Sequence, residues 1–167
     1  MIQSSSIPFY LQMIALVRNA IALLDDQGRE EVLQFILNQQ NADGGFSDRG
    51  GRSHLYYSLF GMLILLGIKG RGQVTGGRGA NLKLVEESIL KLKQFTEGQK
   101  ISQVPGFIER CCLALLQKEL KARKFSNIRS LWSLGRSFMK ERNSINLSYR
   151  GFVLLLTLEA VSSFLPS

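Results

Sequence analysis

The sequence is poor in the residues that build metal centres and disulfide frameworks. It contains a single histidine, His54, and two cysteines, the neighbours Cys111 and Cys112. A zinc site needs several ligands of these types at regular spacing, so we expect no metal site and no cofactor. Adjacent cysteines point in different directions from a helix and rarely pair with each other. We therefore expect both to be small buried side chains in a reducing compartment.

Long apolar runs and long basic runs are also missing. The uncharged segment 53–68 is shorter than the about 20 residues that a bilayer-spanning helix needs. The uncharged segment 1–17 has no basic stretch before its apolar part, unlike a signal peptide. We therefore expect a cytoplasmic protein with no transmembrane segment. The net charge of +8 favours an anionic partner, but the basic residues are spread along the chain, which argues against nucleic acid.

Apolar periodicity predicts an all-α protein with a single domain, 1–167, and about seven helices. Its three prolines and 16 glycines suit helices that are joined by glycine turns. The odd-numbered predicted helices are apolar on nearly every side, whereas the even-numbered ones are amphipathic. This alternation predicts an inner layer of helices covered by an outer layer. The predicted helices are at about 8–24, 28–40, 53–66, 81–97, 105–121, 126–142 and 146–165. Ser53 fits the N-cap of the third helix.

The apolar helices resemble one another. The third and the seventh read LYYSLFGMLILL and LSYRGFVLLLTL, which aligns Tyr57 with Tyr149 and Phe60 with Phe152. Tyr10 in the first helix is separated from Tyr57 by roughly 46 residues, and Tyr57 is separated from Tyr149 by about twice that number. A period of this length is typical of an α/α repeat. The alternative is chance similarity between leucine-rich helices.

Two adjoining stretches resemble one known family. FILNQQNADGGF ends an amphipathic helix in Gln-x-x-x-Gly-Gly-aromatic, which is similar to the repeat of squalene cyclases and protein prenyltransferase β subunits. DGGFSDRGGRSHLYYSLFGMLILLG continues, as in the prenyltransferases, with an arginine, a further basic residue and an aromatic-rich helix. The resemblance to this terpenoid cyclase and prenyltransferase family covers about 29–67. It implies an α/α toroid with an apolar funnel, of which this chain would form a part.

The resemblance also implies a site for an isoprenoid diphosphate or another anionic lipid-like molecule. Arg49, Arg52 and Tyr57 match the family residues that hold the diphosphate. Two guanidinium groups and glycine N–H groups before a helix N-terminus suit an anion, although they could also be solvated turn residues. The inner-helix aromatics would bind the apolar tail, with ordinary core packing as the alternative. These are Tyr10, Tyr56, Phe60, Phe107, Tyr149 and Phe152.

The catalytic residues of the family are not matched, which leaves turnover open. At the positions of the zinc-binding Asp-x-Cys this chain has His54 and Tyr56, and it has no Asp-x-Asp-Asp acid. His54 could be a metal ligand, a proton carrier or a first-turn residue of the third helix. Asp43 is expected to support the geometry of the turn.

The alternative function is a non-catalytic α/α scaffold that binds other proteins. An arc of about seven helices would leave apolar inner-helix surface uncovered at both ends. We therefore expect a homo-oligomer, the simplest form being a homodimer.

Overall fold

The computed structural model describes residues 9–69 and 78–121. Those residues form helices and turns and contain no strand, which confirms the all-α prediction for the described part of the chain. The helices are α1 (Phe9–Leu23), α2 (Asp26–Asn38), α3 (Leu55–Lys69), α4 (Arg78–Glu97) and α5 (Phe107–Glu119), with a 3-10 turn at Ile101–Gln103. Each helix lies close to its predicted range. Within these two ranges no helix combines the length and the apolar character that a membrane span requires.

The last two predicted helices, which include Tyr149 and Phe152, lie outside the described residues. The total of about seven helices and the toroid arrangement therefore stay predictions.

α3 is the central helix of the described fold. It contacts α1, α2, α4 and α5. Its sequence is apolar around most of its circumference, which suits a helix that has neighbours on every side. The buried residues of α3 are Leu55, Ser58, Leu59, Gly61, Met62, Leu63, Leu65 and Gly67.

α5 is the second buried helix, and it packs against both α3 and α4. Cys111 and Cys112 lie in its interior, both completely buried and neither in a disulfide, which confirms the expectation that they are small buried side chains. The reducing compartment stays a prediction. Burial raises the pKa of the Cys112 thiol well above its ordinary value because the thiolate would be desolvated. Cys112 is therefore a packing residue rather than a nucleophile.

α1 contacts α3 but keeps an exposed apolar face. Val17 packs closely against Gly67 of α3, and Ile21 is buried. Leu16 and Leu23, in contrast, are 63% and 88% exposed. The apolar sequence of α1 predicted a helix that is covered on nearly every side, but part of its apolar surface is exposed.

α2 begins at a side-chain cap. The Asp25 carboxylate accepts a hydrogen bond of 2.8 Å from the backbone N–H of Gly28, which satisfies a free donor of the first turn. Leu33 and Ile36 face the core, while Phe35 is 62% exposed. α2 thus covers α3 with one face and leaves the other to solvent.

Side-chain hydrogen bonds connect α2 and the residues just beyond it to α4. At the start of both helices the Asn81 amide donates a hydrogen bond to Glu30. Just beyond the end of α2, the Gln40 amide donates to the carbonyl of Ser88, at the middle of α4, over 2.9 Å. The contact that is earlier in the chain on the α2 side is also the earlier one on the α4 side, so the two helices run in the same direction.

A buried hydrogen bond joins the α2–α3 turn to α3. The backbone N–H of Phe46 donates to the Ser58 hydroxyl over 2.9 Å, and Ser58 is completely buried. Ser58→Ala leaves this N–H without its partner, and we expect a loss of about 1–3 kcal/mol in the free energy of unfolding. Urea denaturation followed by circular dichroism would measure it. Ser102→Ala, at an exposed position, is the control, and equal midpoints for the two variants would contradict the expectation.

Candidate functional site

The segment between α2 and α3 is fixed by backbone hydrogen bonds. Two isolated β-bridges pair Gln40 with Phe46 and Ser47 with Ser53. The N–H of His54 then donates to the carbonyl of Phe46 over 2.9 Å. The glycine-rich segment 39–54 is therefore an ordered double turn rather than an open loop. It holds the residues just before α3 in a defined geometry.

The Gln-x-x-x-Gly-Gly-Phe motif locks this double turn onto α4 and α3. Gln40 and Ser88 are joined twice, because the Ser88 hydroxyl also donates to the Gln40 side-chain oxygen over 2.8 Å. Gly44 has a φ of +91° and lies directly against the backbone of α4. Phe46 is buried against Gly61 of α3, where an added Cβ would lie 2.7 Å from the ring. The motif therefore holds the turn in place.

Asp43 stabilises the turn from within. Its Oδ1 accepts hydrogen bonds from the N–H of Gly45 over 3.0 Å and from the Ser53 hydroxyl over 2.6 Å. The Asn41 amide donates to the same hydroxyl over 2.9 Å. The prediction that Asp43 supports turn geometry is confirmed.

The start of α3 differs from the sequence-based expectation. Ser53 fits the common N-cap pattern, but its hydroxyl is engaged by Asp43 and the helix begins only at Leu55. His54 takes the capping position, since its Nδ1 accepts a hydrogen bond from the N–H of Tyr56 over 3.3 Å. The expectation of a Ser53 cap is wrong, and the histidine has the structural role that was one of its three alternatives.

Arg49 and Arg52 occupy different parts of a small turn that Asp48 closes. The Asp48 carboxylate accepts hydrogen bonds from the N–H groups of Arg52 and Gly50, and the bond from Arg52 holds the pKa of Asp48 below its ordinary value. Arg49 is exposed in the middle of this turn. Arg52 stands at its end, where its side chain lines a cleft.

The cleft is open to solvent and has a volume of about 880 Å³, a size typical of small-molecule sites. It lies between the double turn, the C-terminal end of α4 and the start of α5. Its apolar lining consists of Leu55, Phe95, Val104 and Pro105 among others. Its charged lining consists of Arg52, Lys100, Asp43 and Glu109, with His54 beside them.

The side chains of His54 and Glu109 approach each other across the cleft. Nε2 of His54 lies 3.6 Å from Oε1 of Glu109, in the first turn of α5. Because Nδ1 accepts the N–H of Tyr56, the neutral ring carries its proton on Nε2, facing the carboxylate. The contact thus connects the turn before α3 to α5.

Three of the predicted tail-binding aromatics lie in the described part of the chain, Tyr56, Phe60 and Phe107, and none of these three lines the cleft. Tyr56 and Phe60 are half-buried with ring centroids 4.9 Å apart and an edge-to-face geometry, and they pack against the core. Tyr57 is 39% exposed and touches His54 edge-on. Phe107 is 1% exposed, inside the core. The side chain of Tyr10 lies outside the described part of the structure, so the aromatic lining of a funnel stays a prediction.

Sequence reasoning missed Lys100 and Glu109, which come from the far side of the cleft. Both lie about 50 residues beyond the turn in the chain, and no local pattern connects them to Arg52. The one available signal was the Pro105-Gly106 pair, which breaks the chain just before α5 and places Glu109 in a first turn.

The described residues hold no group of three or more histidine, cysteine, aspartate or glutamate side chains that could bind a metal ion. Comparison with protein-family models, with curated proteins and with solved structures gives no match for this chain.

Proposed function

We propose that this helical domain binds an isoprenoid diphosphate, or another anionic lipid-like molecule, in the cleft beside Arg52. The observation that carries the proposal is the composition of the cleft. Arg52 and Lys100 are exposed cations, and within the described residues neither forms an ion pair. They stand next to an apolar wall that includes Phe95 and Val104. An isoprenoid diphosphate combines an anionic head with an apolar chain and matches both features.

The proposal keeps part of the site that the family resemblance implies. Arg52 remains a head-group residue, and Lys100 is added to it. Arg49 and Tyr57 are outside the cleft lining and remain predicted contacts. The partial α/α toroid is part of the proposal, supported by the row α1–α3–α5 and by the parallel outer helices α2 and α4. The proposal concerns binding, since the zinc ligands and the acid motif of the family are unmatched.

Calorimetric titration with geranylgeranyl diphosphate tests the proposal. We expect binding to the wild-type protein and a loss of about tenfold or more in affinity for Arg52→Glu and for Lys100→Glu, because each removes a charge-assisted contact and adds a repulsion. Arg18→Glu is the matched control, because it makes the same charge change at an exposed position of α1 that does not line the cleft.

The three variants separate a local site from general attraction. Losses confined to Arg52→Glu and Lys100→Glu would support the cleft as the binding site. An equal loss in Arg18→Glu would show that only the net charge matters. No binding of the diphosphate by the wild-type protein would contradict the proposal.

The second candidate is the protein-binding scaffold, which a separate observation favours. Large apolar side chains are exposed on three helices. Self-association or a protein partner would cover such positions. They are Leu16, Leu23, Phe35, Leu82, Leu84 and Leu90. Absence of diphosphate binding would make this candidate the better one.

A further inference from the structure

Gln117 is a buried polar residue of α5 that lies behind the cleft rather than in its lining. It is 1% exposed, and a buried amide needs hydrogen-bond partners because an unpaired one costs free energy. Its Nε2 donates to the carbonyl of Thr96, in the last turn of α4, over 2.7 Å. The same nitrogen donates to the carbonyl of Gln99, just beyond α4, over 3.0 Å. Gln117 therefore ties the end of α4 and the residues after it to the interior of α5.

The far wall of the cleft is the segment that follows α4. Residues between 98 and 106 line the cleft on this side. Gln117 holds the first part of the segment, and Arg110, also in α5, donates through Nε to the carbonyl of Val104 near its other end. Side chains of α5 thus support the wall at both ends.

Lys100 extends from a part of this wall whose backbone is fixed on both sides. The carbonyl of Gln99 belongs to the peptide group just before Lys100, so the hydrogen bond from Gln117 fixes that group. The carbonyl of Lys100 accepts a hydrogen bond of 2.9 Å from the N–H of Gln103, which fixes the peptide group after it. Ile101, the next residue, is buried. The place from which the Lys100 side chain reaches the cleft therefore depends on a donor inside α5.

A fixed starting point matters for a lysine because its stem has four flexible carbons. Binding an anion orders that stem, and the cost is smaller when the backbone is already in place. We propose that Gln117 is a positioning residue of the ligand site, which holds Lys100 where its ammonium group meets the anionic head group beside Arg52. This inference rests on the proposed function and adds to its site a residue that does not touch the ligand.

A double-mutant cycle with geranylgeranyl diphosphate tests the inference. Gln117→Met keeps the length of the side chain but removes both donated hydrogen bonds. Lys100→Gln removes the cation. We expect Lys100→Gln to lower the affinity about tenfold in the wild-type background and about twofold or less in the Gln117→Met background, a coupling of about fivefold. Calorimetric titration of the four proteins measures these losses.

A second cycle with Arg52→Gln is the control. Arg52 is the cation of the opposite wall, where its N–H is held by the Asp48 carboxylate of the double turn. We expect Arg52→Gln to lower the affinity by the same factor with and without Gln117→Met. A purely structural role of Gln117 would weaken binding without distinguishing between Lys100 and Arg52.

Each outcome bears on the inference. Equal losses for Lys100→Gln in the two backgrounds, or equal coupling in the two cycles, would overturn it while leaving the proposed function intact. If circular dichroism shows that Gln117→Met is unfolded, Gln117→Asn replaces it in both cycles, because its amide is one methylene too short to keep both bonds. A chain that folds with neither substitution would show that Gln117 serves the fold alone, which also overturns the inference. Absence of binding by the wild-type protein would overturn both the inference and the proposed function.

Discussion

Replacing Phe46 with alanine is expected to lower the free energy of unfolding by about 3–5 kcal/mol. Phe46 is 2% exposed and lies in the main hydrophobic cluster. Its ring fills the space above Gly61, where a side chain on α3 could not fit. Truncation removes the transfer free energy of the ring and leaves a cavity between the turn and the central helix.

Phe35→Ala is the matched control for this experiment. It makes the same chemical change, but on the solvent side of α2, where Phe35 is 62% exposed. Surface substitutions of this kind alter stability by about 0.5 kcal/mol or less. Urea denaturation of both variants would give the comparison. A loss for Phe46→Ala no greater than that for Phe35→Ala would contradict the anchoring role of Phe46.

The packing of Phe46 against α3 also positions residues of the cleft. Phe46 joins the double turn to α3 through its ring, its N–H to Ser58 and its carbonyl to His54. Arg52 and His54 follow on the same turn, so their positions depend on this anchor. A folded Phe46→Ala protein should therefore bind the diphosphate more weakly than Phe35→Ala.

The parts of the fold that the sequence predicted are those that depend on local pattern. α3 has apolar residues at nearly every position, and it is surrounded. The same reasoning misled for α1, because apolar residues such as Leu16 and Leu23 do not show whether a neighbour covers them. The Ser53 cap failed because the hydroxyl accepts a hydrogen bond from the Asn41 amide and donates one to Asp43, and these contacts exist only once the turn has folded.

Local sequence pattern likewise predicted only part of the candidate site. An arginine just before a helix start is a local feature, and Arg52 does line the cleft. Lys100 and Glu109 reach the cleft only because α4 and α5 pack against the turn, which no short-range pattern reports. Phe107 was a predicted tail-binding residue because it is an aromatic of a predicted inner helix, and the structure buries it in the core at 1% exposure, as the core-packing alternative expected.

Gly44→Ala is expected to destabilise the protein by about 2–4 kcal/mol for two reasons that add. Gly44 has a φ of +91°, a conformation that costs an alanine about 1 kcal/mol. An added Cβ would also lie closer to the backbone carbonyl of Lys91 than any real contact allows. Because that atom belongs to the α4 backbone, the turn and the helix must separate, and overpacking of this kind costs about 1–3 kcal/mol.

Gly51→Ala separates the two reasons. Gly51 has a φ of +78°, but an added Cβ would meet no atom within 4 Å. Its substitution therefore reports the conformational cost alone, about 1 kcal/mol. The excess loss in Gly44→Ala, measured by urea denaturation, is the contribution of close packing between the turn and α4, and equal losses would show that this contact is unimportant. Since the C-terminal end of α4 forms one wall of the cleft and the turn another, only Gly44→Ala should also weaken diphosphate binding.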